Sequence, residues 1–236
     1  MKRFAVLVAA AAMIMTTPAA ASGLRAAPRH RLRAGLAINW AGYVAQGGSF
    51  TSASTTWTEP SISCGANEHS AVASFAAIDG ATTPTVEQIG TLTRCNRGTV
   101  RHKVFWEMYP KAANIVAKRV NAGDSLTASV VVSAPQTFTL TLVNHTRGWT
   151  YSTQATSSSA QLASAEAITE APTAAGGKIM NLSNFGQINY SGTTANGQAI
   201  ANFGPEAVTM VSSGGTTKAT PCCLSGGSFN VSWQHA

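Results

Sequence analysis

The chain is poor in charged residues. Only 11% of its 236 residues are Asp, Glu, Lys or Arg, against about 25% in an average globular domain. Small residues such as Ser, Thr, Ala and Gly take their place, which favours an extracellular β-rich protein over a charged cytosolic helical one. Hydrophobic residues still make up 44% of the chain. That content argues against disorder and is enough for one sizeable core.

Long apolar runs are missing after the N-terminus. Residues 1–21 begin with two basic residues, continue with an apolar stretch at 4–15 and end in three alanines. This order predicts a secretory signal peptide that is cleaved before Ser22. The apolar stretch is too short for a bilayer, which needs about 20 residues. We therefore expect a secreted, extracellular protein without membrane contact after signal removal.

Acidic residues are absent from the first 35 positions, which hold six of the 16 Lys and Arg residues. The remaining 16 − 6 = 10 bases face all nine acids, so the net charge of +7 falls to +1 after residue 35. A nucleic-acid partner would need a basic stripe on the folded body, and none is predicted. Residues 22–35 hold four arginines and predict either a removable basic pro-segment, which could screen acidic groups, or a disordered N-terminus. Residues 36–236 are expected to form a single domain.

Cysteine is also sparse, with Cys64, Cys95, Cys222 and Cys223 as the whole set. None has zinc-type spacing with histidine, so we expect neither a metal nor a cofactor. Four cysteines allow three pairings. In an oxidising compartment we expect Cys64–Cys95, which would connect two loops beside the central strands. The adjacent Cys222 and Cys223 would form a vicinal bridge or stay reduced.

Several hydrolase signatures are missing. The sequence has no G-x-S-x-G elbow and no H-E-x-x-H zinc motif. An aspartic protease needs two Asp-Thr/Ser-Gly signatures, and the only aspartates are Asp79 and Asp124. These absences exclude the common nucleophile, metal and paired-aspartate systems.

Period-two alternation is the pattern that the sequence does have. Residues 137–142 alternate and place Phe138, Leu140 and Leu142 on one face. Residues 99–109, 125–132 and 228–233 are further strand candidates, and Gly-, Ser- and Thr-rich turns recur between such segments. Many short strands with such turns predict an all-β sandwich or barrel.

Residues 161–171 (QLASAEAITEA) do not follow this pattern. Their composition favours a helix, with Glu166 and Glu170 one turn apart. As a strand the segment would instead place Glu166, Ile168 and Glu170 on one face. Propensity alone does not decide between the two.

Six short segments occur in an order and spacing that carry a resemblance. They are NWAGYV (39–44), SFAAIDG (74–80), TVEQIG (85–90), FWEMYP (105–110), AGDSL (122–126) and AEAITEAP (165–172). As an ordered set they resemble the eqolisins, the glutamic peptidase family, especially its bacterial members. The resemblance implies a β-sandwich of two curved antiparallel sheets, concanavalin- or jelly-roll-like, and so favours a strand at 161–171.

The resemblance also implies a site. The family's catalytic Gln and Glu correspond to Gln88 and Glu170, and imply a glutamic endopeptidase that activates water without a covalent intermediate. A Glu pKa near ~4.3 implies action in acid. The supporting or substrate-binding positions correspond to Trp40, Phe75, Asp79, Glu107 and Tyr109. The family usually has Trp at the position of Phe75 and an aromatic residue at that of Ala167.

Each candidate also has an ordinary structural explanation. Gln88 would be a strand residue bonded to backbone, and Glu170 a solvated carboxylate near a loop. The alternative function is a non-catalytic β-sandwich that binds carbohydrate or peptide, which includes an inactive peptidase homologue. Its aromatic surface would consist of Trp40, Trp106 and Tyr109. For the peptidase we expect polypeptide substrates and a monomer.

Overall fold

The computed structural model describes residues 24, 25, 27–29 and 31–236. The predicted signal peptide at 1–21 lies outside the described residues. The described chain contains one short 3-10 helix, Ile200–Phe203, and no α-helix. Its strands are β1 (Leu24–Arg25), β2 (Arg31–Arg33), β3 (Leu36–Ala37), β4 (Trp40–Gln46), β5 (Ser52–Thr58), β6 (His69–Ile78), β7 (Val86–Asn96), β8 (Thr99–Tyr109), β9 (Asn114–Val116), β10 (Ser125–Ala134), β11 (Thr137–Asn144), β12 (Trp149–Thr156), β13 (Ser164–Glu170), β14 (Thr173–Ala174), β15 (Asn181–Leu182), β16 (Gln187–Ala195), β17 (Gln198–Ala199), β18 (Glu206–Val211), β19 (Thr217–Ser225) and β20 (Ser228–Trp233).

The strands form two layers, as the predicted β-sandwich requires. The front sheet has the order β18–β4–β13–β6–β7–β8–β9 with antiparallel pairings throughout this order, and the two-residue strand β15 pairs with β6 in parallel. The back sheet has the order β12–β11–β10–β5–β16–β20–β19 and is also antiparallel. Strand β18 pairs with both β4 and β19 and so connects the two layers. The all-β prediction is confirmed.

The main hydrophobic core lies between the two sheets. From the back sheet, the alternating residues Phe138, Leu140 and Leu142 of β11 are buried on one face, as predicted. From the front sheet, Ile89 and Val104 are equally buried and belong to the same cluster. We call this side of the front sheet the core face and the opposite side the front face.

The segment with helical composition forms strand β13, because both its neighbours pair with it along most of its length. It pairs with β4 on one side and with β6 on the other. The approach is close: a Cβ at Gly42 would lie 2.2 Å from the carbonyl oxygen of Ala167. A Cβ at Gly90 would likewise lie 2.0 Å from the carbonyl oxygen of Ser74. Glycine at these two positions lets the central strands pack together, and tertiary pairing overrides helix propensity.

Two disulfides join the four cysteines. The predicted Cys64–Cys95 bridge is confirmed, and it fixes the loop before β6 to the end of β7. Cys222 and Cys223 are bonded to each other, which resolves the alternative that the sequence left open. Within the described part of the chain, no helix has the length and apolar character to cross a membrane.

Candidate active site

A row of six side chains, four of them polar, crosses the front face. Register places Glu206, Val44, Glu166, Ala77, Gln88 and Glu107 side by side on six neighbouring strands, β18 to β8. Directly paired residues project to the same side of a sheet, so these six side chains line up. We call them the acidic row. With strands about 4.8 Å apart, the row is about 24 Å long and holds three of the chain's seven glutamates.

Glu170 lies on the same face, four residues beyond Glu166 on β13, and pairs with Trp40 on one side and Ala73 on the other. Its side chain is fully buried. Oε1 accepts hydrogen bonds from the Ala27 backbone N–H at 2.9 Å and from Asn39 Nδ2 at 3.3 Å. Oε2 accepts none from the residues that the structure describes. One carboxylate oxygen is therefore held in place and the other is left for a further partner.

Burial dominates the electrostatics of Glu170. Loss of solvent raises its pKa well above the usual range, and the nearby carboxyl of Glu107 raises it further. The hydrogen bonds from Ala27 and Asn39 act in the opposite direction and do not offset the burial. Because the charged form is disfavoured in this closed arrangement, Glu170 needs renewed contact with water to act as a base near its ordinary pKa.

Gln88 is also buried on the front face. Its Nε2 donates to Glu107 Oε2 at 3.4 Å, while its Oε1 accepts no hydrogen bond within the described chain. Gln88 and Glu107 are directly paired across β7 and β8. The amide and this carboxyl thus form one unit beside the site of Glu170.

The relation of Gln88 to the two glutamates of β13 follows from the register. Glu166 shares the acidic row with Gln88, with only Ala77 between them. Glu170 lies two strands and four residues away, which corresponds to about 16 Å between Cα atoms in an ideal flat sheet. Gln88 and Glu170 face the same side of the sheet. Glu107 interacts with both, since it accepts a hydrogen bond from Gln88 and raises the pKa of Glu170. Their direct approach to one water depends on side-chain reach and on sheet curvature.

Glu166 is a second buried acid of the front face. Neither of its oxygens accepts a hydrogen bond from the described residues. Burial raises its pKa well above the usual range, Asp79 and Glu87 raise it further, and the Arg29 cation lowers it. The Ser164 side chain also lowers it, so the cost of burying Glu166 is only partly offset, a feature that is enriched at functional sites.

The aromatic candidates fall on different faces. Trp40 and Phe75 are fully buried on the front face, with ring centroids 5.9 Å apart in an edge-to-face arrangement. Tyr109 packs against the same apolar cluster. Trp106 pairs with Ile89 and packs against the main core instead. The three rings of the proposed binding surface, Trp40, Trp106 and Tyr109, therefore do not form one surface.

Asp79 organises a loop. Its carboxylate accepts hydrogen bonds from the backbone N–H groups of Gln161, Leu162 and Ala163 at 2.7–2.9 Å. These residues lead directly into β13. Asp79 thus fixes the entry of the strand that carries Glu166 and Glu170. Ala167 points to the core face, so its small size changes the core and leaves the front face unaltered.

Glu59, which follows β5, is a buried acid of a different kind. Its carboxylate accepts hydrogen bonds from Thr91 Oγ1 at 2.6 Å, Thr93 Oγ1 at 2.5 Å and Trp57 Nε1 at 3.3 Å. The Nδ1 atom of His102 lies 2.8 Å from its Oε1. Within the described part of the chain, no group of three or more His, Cys, Asp or Glu side chains is arranged to hold a metal ion.

Sequence reasoning missed Glu206 and the position of residues 27–29. Glu206 lies outside all six segments of the resemblance, and its only signal is that acids are rare in this chain. Ala27 and Arg29 are buried against the front face. The sequence predicted a basic segment there but not where it packs.

Comparison with known proteins identifies the family of the chain. Residues 38–233 match the model of the Peptidase A4 family. Among solved structures, scytalido-glutamic peptidase with a transition state analog inhibitor aligns with a TM-score of 0.72 at 22% identity, covering 84% of this chain and 98% of that one. SCP-B, a member of the eqolisin family in complex with the tripeptide Ala-Ile-His, aligns at 0.67 and 21%, covering 84% and 98%.

Aspergilloglutamic peptidase from Aspergillus niger aligns with a TM-score of 0.62 at 19% identity, covering 70% of this chain and 99% of that one. At these identities the solved structures establish the shared fold. No curated protein sequence matches the chain. The bacterial character of the resemblance stays a prediction. The family match spans most of the chain, and the protein therefore belongs to the Peptidase A4 family, the eqolisins.

Proposed function

We propose that this protein is a secreted, acid-acting glutamic endopeptidase that hydrolyses polypeptides with Glu170 and Gln88. Family membership supports a peptidase hydrolase with polypeptide substrates. The observation that carries the residue assignment is the half-satisfied carboxyl of Glu170, buried on the front face with one oxygen held and the other lacking a described donor.

In the proposed mechanism, the Glu170 carboxylate removes a proton from a water molecule, which attacks the substrate carbonyl carbon. The Gln88 amide N–H donates to the oxygen of the tetrahedral intermediate, where negative charge develops. Protonated Glu170 then delivers its proton to the leaving amine as the C–N bond breaks. Glu170 ends the cycle ionised, and no covalent intermediate forms.

Acid action follows from the electrostatics of Glu170. Burial raises its pKa although the Ala27 N–H lowers it, and access of solvent would return the pKa towards about 4.3. A carboxyl can alternate between base and acid most readily near its pKa. We therefore expect a rate maximum in acidic solution, and a pH–rate profile with its maximum above neutrality would contradict the mechanism.

The test is digestion of casein at about pH 3–4, a window set by the Glu reference pKa. Substitution of Glu170 by Gln, or of Gln88 by Ala, should each reduce kcat by at least about 10²-fold. Glu68→Gln, at a half-buried position, and Gln154→Ala, at an exposed one, change the same residue types away from the front face and should leave the rate unaltered. Pepstatin, directed at paired aspartates, should not inhibit.

Glu166→Gln decides between the two glutamates of β13. Since Glu166 shares a row with Gln88, it is the rival base. We expect the Glu166→Gln enzyme to retain measurable hydrolysis, while Glu170→Gln does not. The reverse result, with Glu170→Gln active and Glu166→Gln inactive, would move the base to Glu166.

We propose further that residues 1–21 are a signal peptide, residues 22–35 a removable pro-segment and residues 36–236 the peptidase domain. The contact of the Ala27 backbone N–H with Glu170 supports this division, since it occupies the carboxylate. On acidification, the mass of the protein should fall by the pro-segment as activity appears. Full activity of the chain that retains residues 22–35 would contradict the proposal.

A further inference from the structure

Arg29 belongs to the basic segment at residues 22–35, here called the N-terminal segment. Its side chain is nevertheless fully buried. Its Nη1 and Nη2 donate to the two carboxylate oxygens of Glu206 at 2.5 and 3.3 Å. This is the two-point geometry by which a planar guanidinium recognises a carboxylate. Gln46 Nε2 also donates to Glu206 Oε2, at 3.2 Å, and orients the carboxylate from β4.

The same segment is otherwise held through its backbone. The Ala27 N–H donates to Glu170, and the Ala27 carbonyl oxygen accepts from Trp40 Nε1 at 2.9 Å. The Pro28 carbonyl oxygen accepts from Asn39 Nδ2 at 3.1 Å, and the Arg29 N–H donates to the Gly80 carbonyl oxygen at 3.0 Å. Any peptide offers these backbone groups. Among residues 27–29, which the structure describes, Arg29 alone is recognised through a hydrogen-bonded side chain.

The pocket around Arg29 holds a second carboxyl group besides that of Glu206. Glu166 lies in the acidic row next but one to Glu206, with Val44 between them. It is 2% exposed, and both its oxygens lack a donor among the described residues. Arg29 acts on it electrostatically, and the Nε atom of Arg29 is buried without an acceptor in the described chain. The site therefore holds one carboxylate in direct contact with the guanidinium and a second carboxyl group, that of Glu166, on which the guanidinium acts electrostatically.

We propose that Glu206 and Glu166 form a subsite that selects arginine in peptide substrates, and that Arg29 occupies it in the full chain. This inference rests on the proposed function. The peptide nitrogen placed at Glu170 is that of Ala27, and the proposed general acid protonates the leaving nitrogen. Arg29 is two residues after Ala27, so the selected arginine is the third residue after the cleaved bond.

The experiment compares peptides that differ only at this third position, which holds arginine, its uncharged isostere citrulline, or lysine. The full chain is incubated with each at about pH 4, and products are identified by mass spectrometry. Loss of charge-assisted hydrogen bonds should lower kcat/KM for citrulline about 10- to 100-fold. The kcat/KM of the lysine peptide should lie between those of the arginine and citrulline peptides, because lysine lacks the planar guanidinium fork.

Glu206→Gln should bring the arginine-to-citrulline ratio of kcat/KM close to one. Glu68→Gln, a control with a half-buried glutamate outside the front face, should leave both the ratio and the rate as in the wild type. Equal cleavage of the arginine and citrulline peptides by the wild type, or selection at another position, would overturn the subsite.

If the wild type cleaves neither peptide, the proposed function fails, and the subsite is judged without turnover. Arg29→Gln, Glu206→Gln and the double variant are then compared by the protease resistance of the N-terminal segment in the full chain. A double variant no more susceptible than either single variant supports the pairing. Additive effects, or no effect, overturn it.

Discussion

Glu59 and Glu170 are both buried beside the front sheet, and they differ in how their charge is accommodated. Glu59 reaches the core face, where Thr91 and Thr93 of β7 donate to its two oxygens. Glu170 lies on the front face, with one oxygen bonded and the other without a described donor. A buried acid with all its acceptors filled stabilises a fold, whereas an unsatisfied one marks a place where a ligand or water is to bind. Burial alone does not identify a functional carboxyl.

The largest expected effect separates these two acids. Glu170→Gln should lower casein hydrolysis by about 10²- to 10⁴-fold, because it removes the proposed base, while the neutral amide leaves stability at pH 7 equal or higher. Glu59→Gln should show the opposite: activity is retained, and the free energy of unfolding falls by about 1–3 kcal/mol because the amide mismatches the donors. Activity and denaturant unfolding are measured on both variants. If both variants lose activity alike, the comparison fails.

The next effect concerns pH and Glu87, which lies on the core face opposite Gln88. Burial and the nearby Asp79 carboxyl together raise the pKa of Glu87 to about 8, against the opposing effect of the Ser157 and Thr85 hydroxyls. An acid with a raised pKa stabilises the fold fully below its unfolded pKa of about 4.5 and loses that contribution as pH rises towards 8. The loss is about 4–5 kcal/mol at 1.36 kcal/mol per pKa unit.

Denaturant unfolding between pH 4 and pH 9 measures this loss. Asp124, whose pKa is lowered mainly by Asn144 and Arg147 against the effect of burial, acts in the opposite direction below about pH 4 and is avoided by this range. Glu87→Gln should make the decline in stability shallower, and the remaining decline comes from Glu166 and Glu170, whose pKa values burial also raises. A wild-type protein whose stability is constant or rises over the range would show that Glu87 is compensated, as Glu59 is.

The smallest expected effect tests the donors of Glu59 one at a time. Thr93→Val removes the hydroxyl that donates to Oε1 and leaves the His102 contact on that oxygen. The free energy of unfolding should fall by about 1–2 kcal/mol, with activity unchanged. Thr99→Val, at an exposed strand position, should change stability by less than about 0.5 kcal/mol. Equal stabilities of the two variants would mean that the hydroxyl contributes little.

Local sequence patterns were sufficient to predict the strands in which the type of each residue matches its own burial. Period-two alternation predicted β11, and Pro110 marked the end of β8. The strand assignment of β13 needed the family resemblance, since its composition favours a helix. The physical cause is pairing with β4 and β6 on both sides, with Gly42 allowing the close approach of β4, and it comes from distant segments that are not encoded within β13 itself.

The candidate site could also be predicted only as far as local sequence patterns and the family resemblance allowed. The alternation of β13 correctly put Glu166 and Glu170 on one face once the segment was taken as a strand. Glu206 could not be found, because its place beside Val44 follows from a pairing of β18 with β4, strands more than 150 residues apart in the chain. Which donors a buried acid meets likewise depends on register between strands, and Glu59 gave no local sign of its partners.

The pairing of β18 with β4 has a consequence for biosynthesis. The ribosome adds residues 24–33 early in translation and adds Glu206 only when most of the chain has been made. The Arg29 contact with Glu206 cannot form before then, so the N-terminal segment stays without its side-chain anchor while most of the chain is made. Chain order alone therefore places the docking of this segment among the last events in the maturation of the molecule.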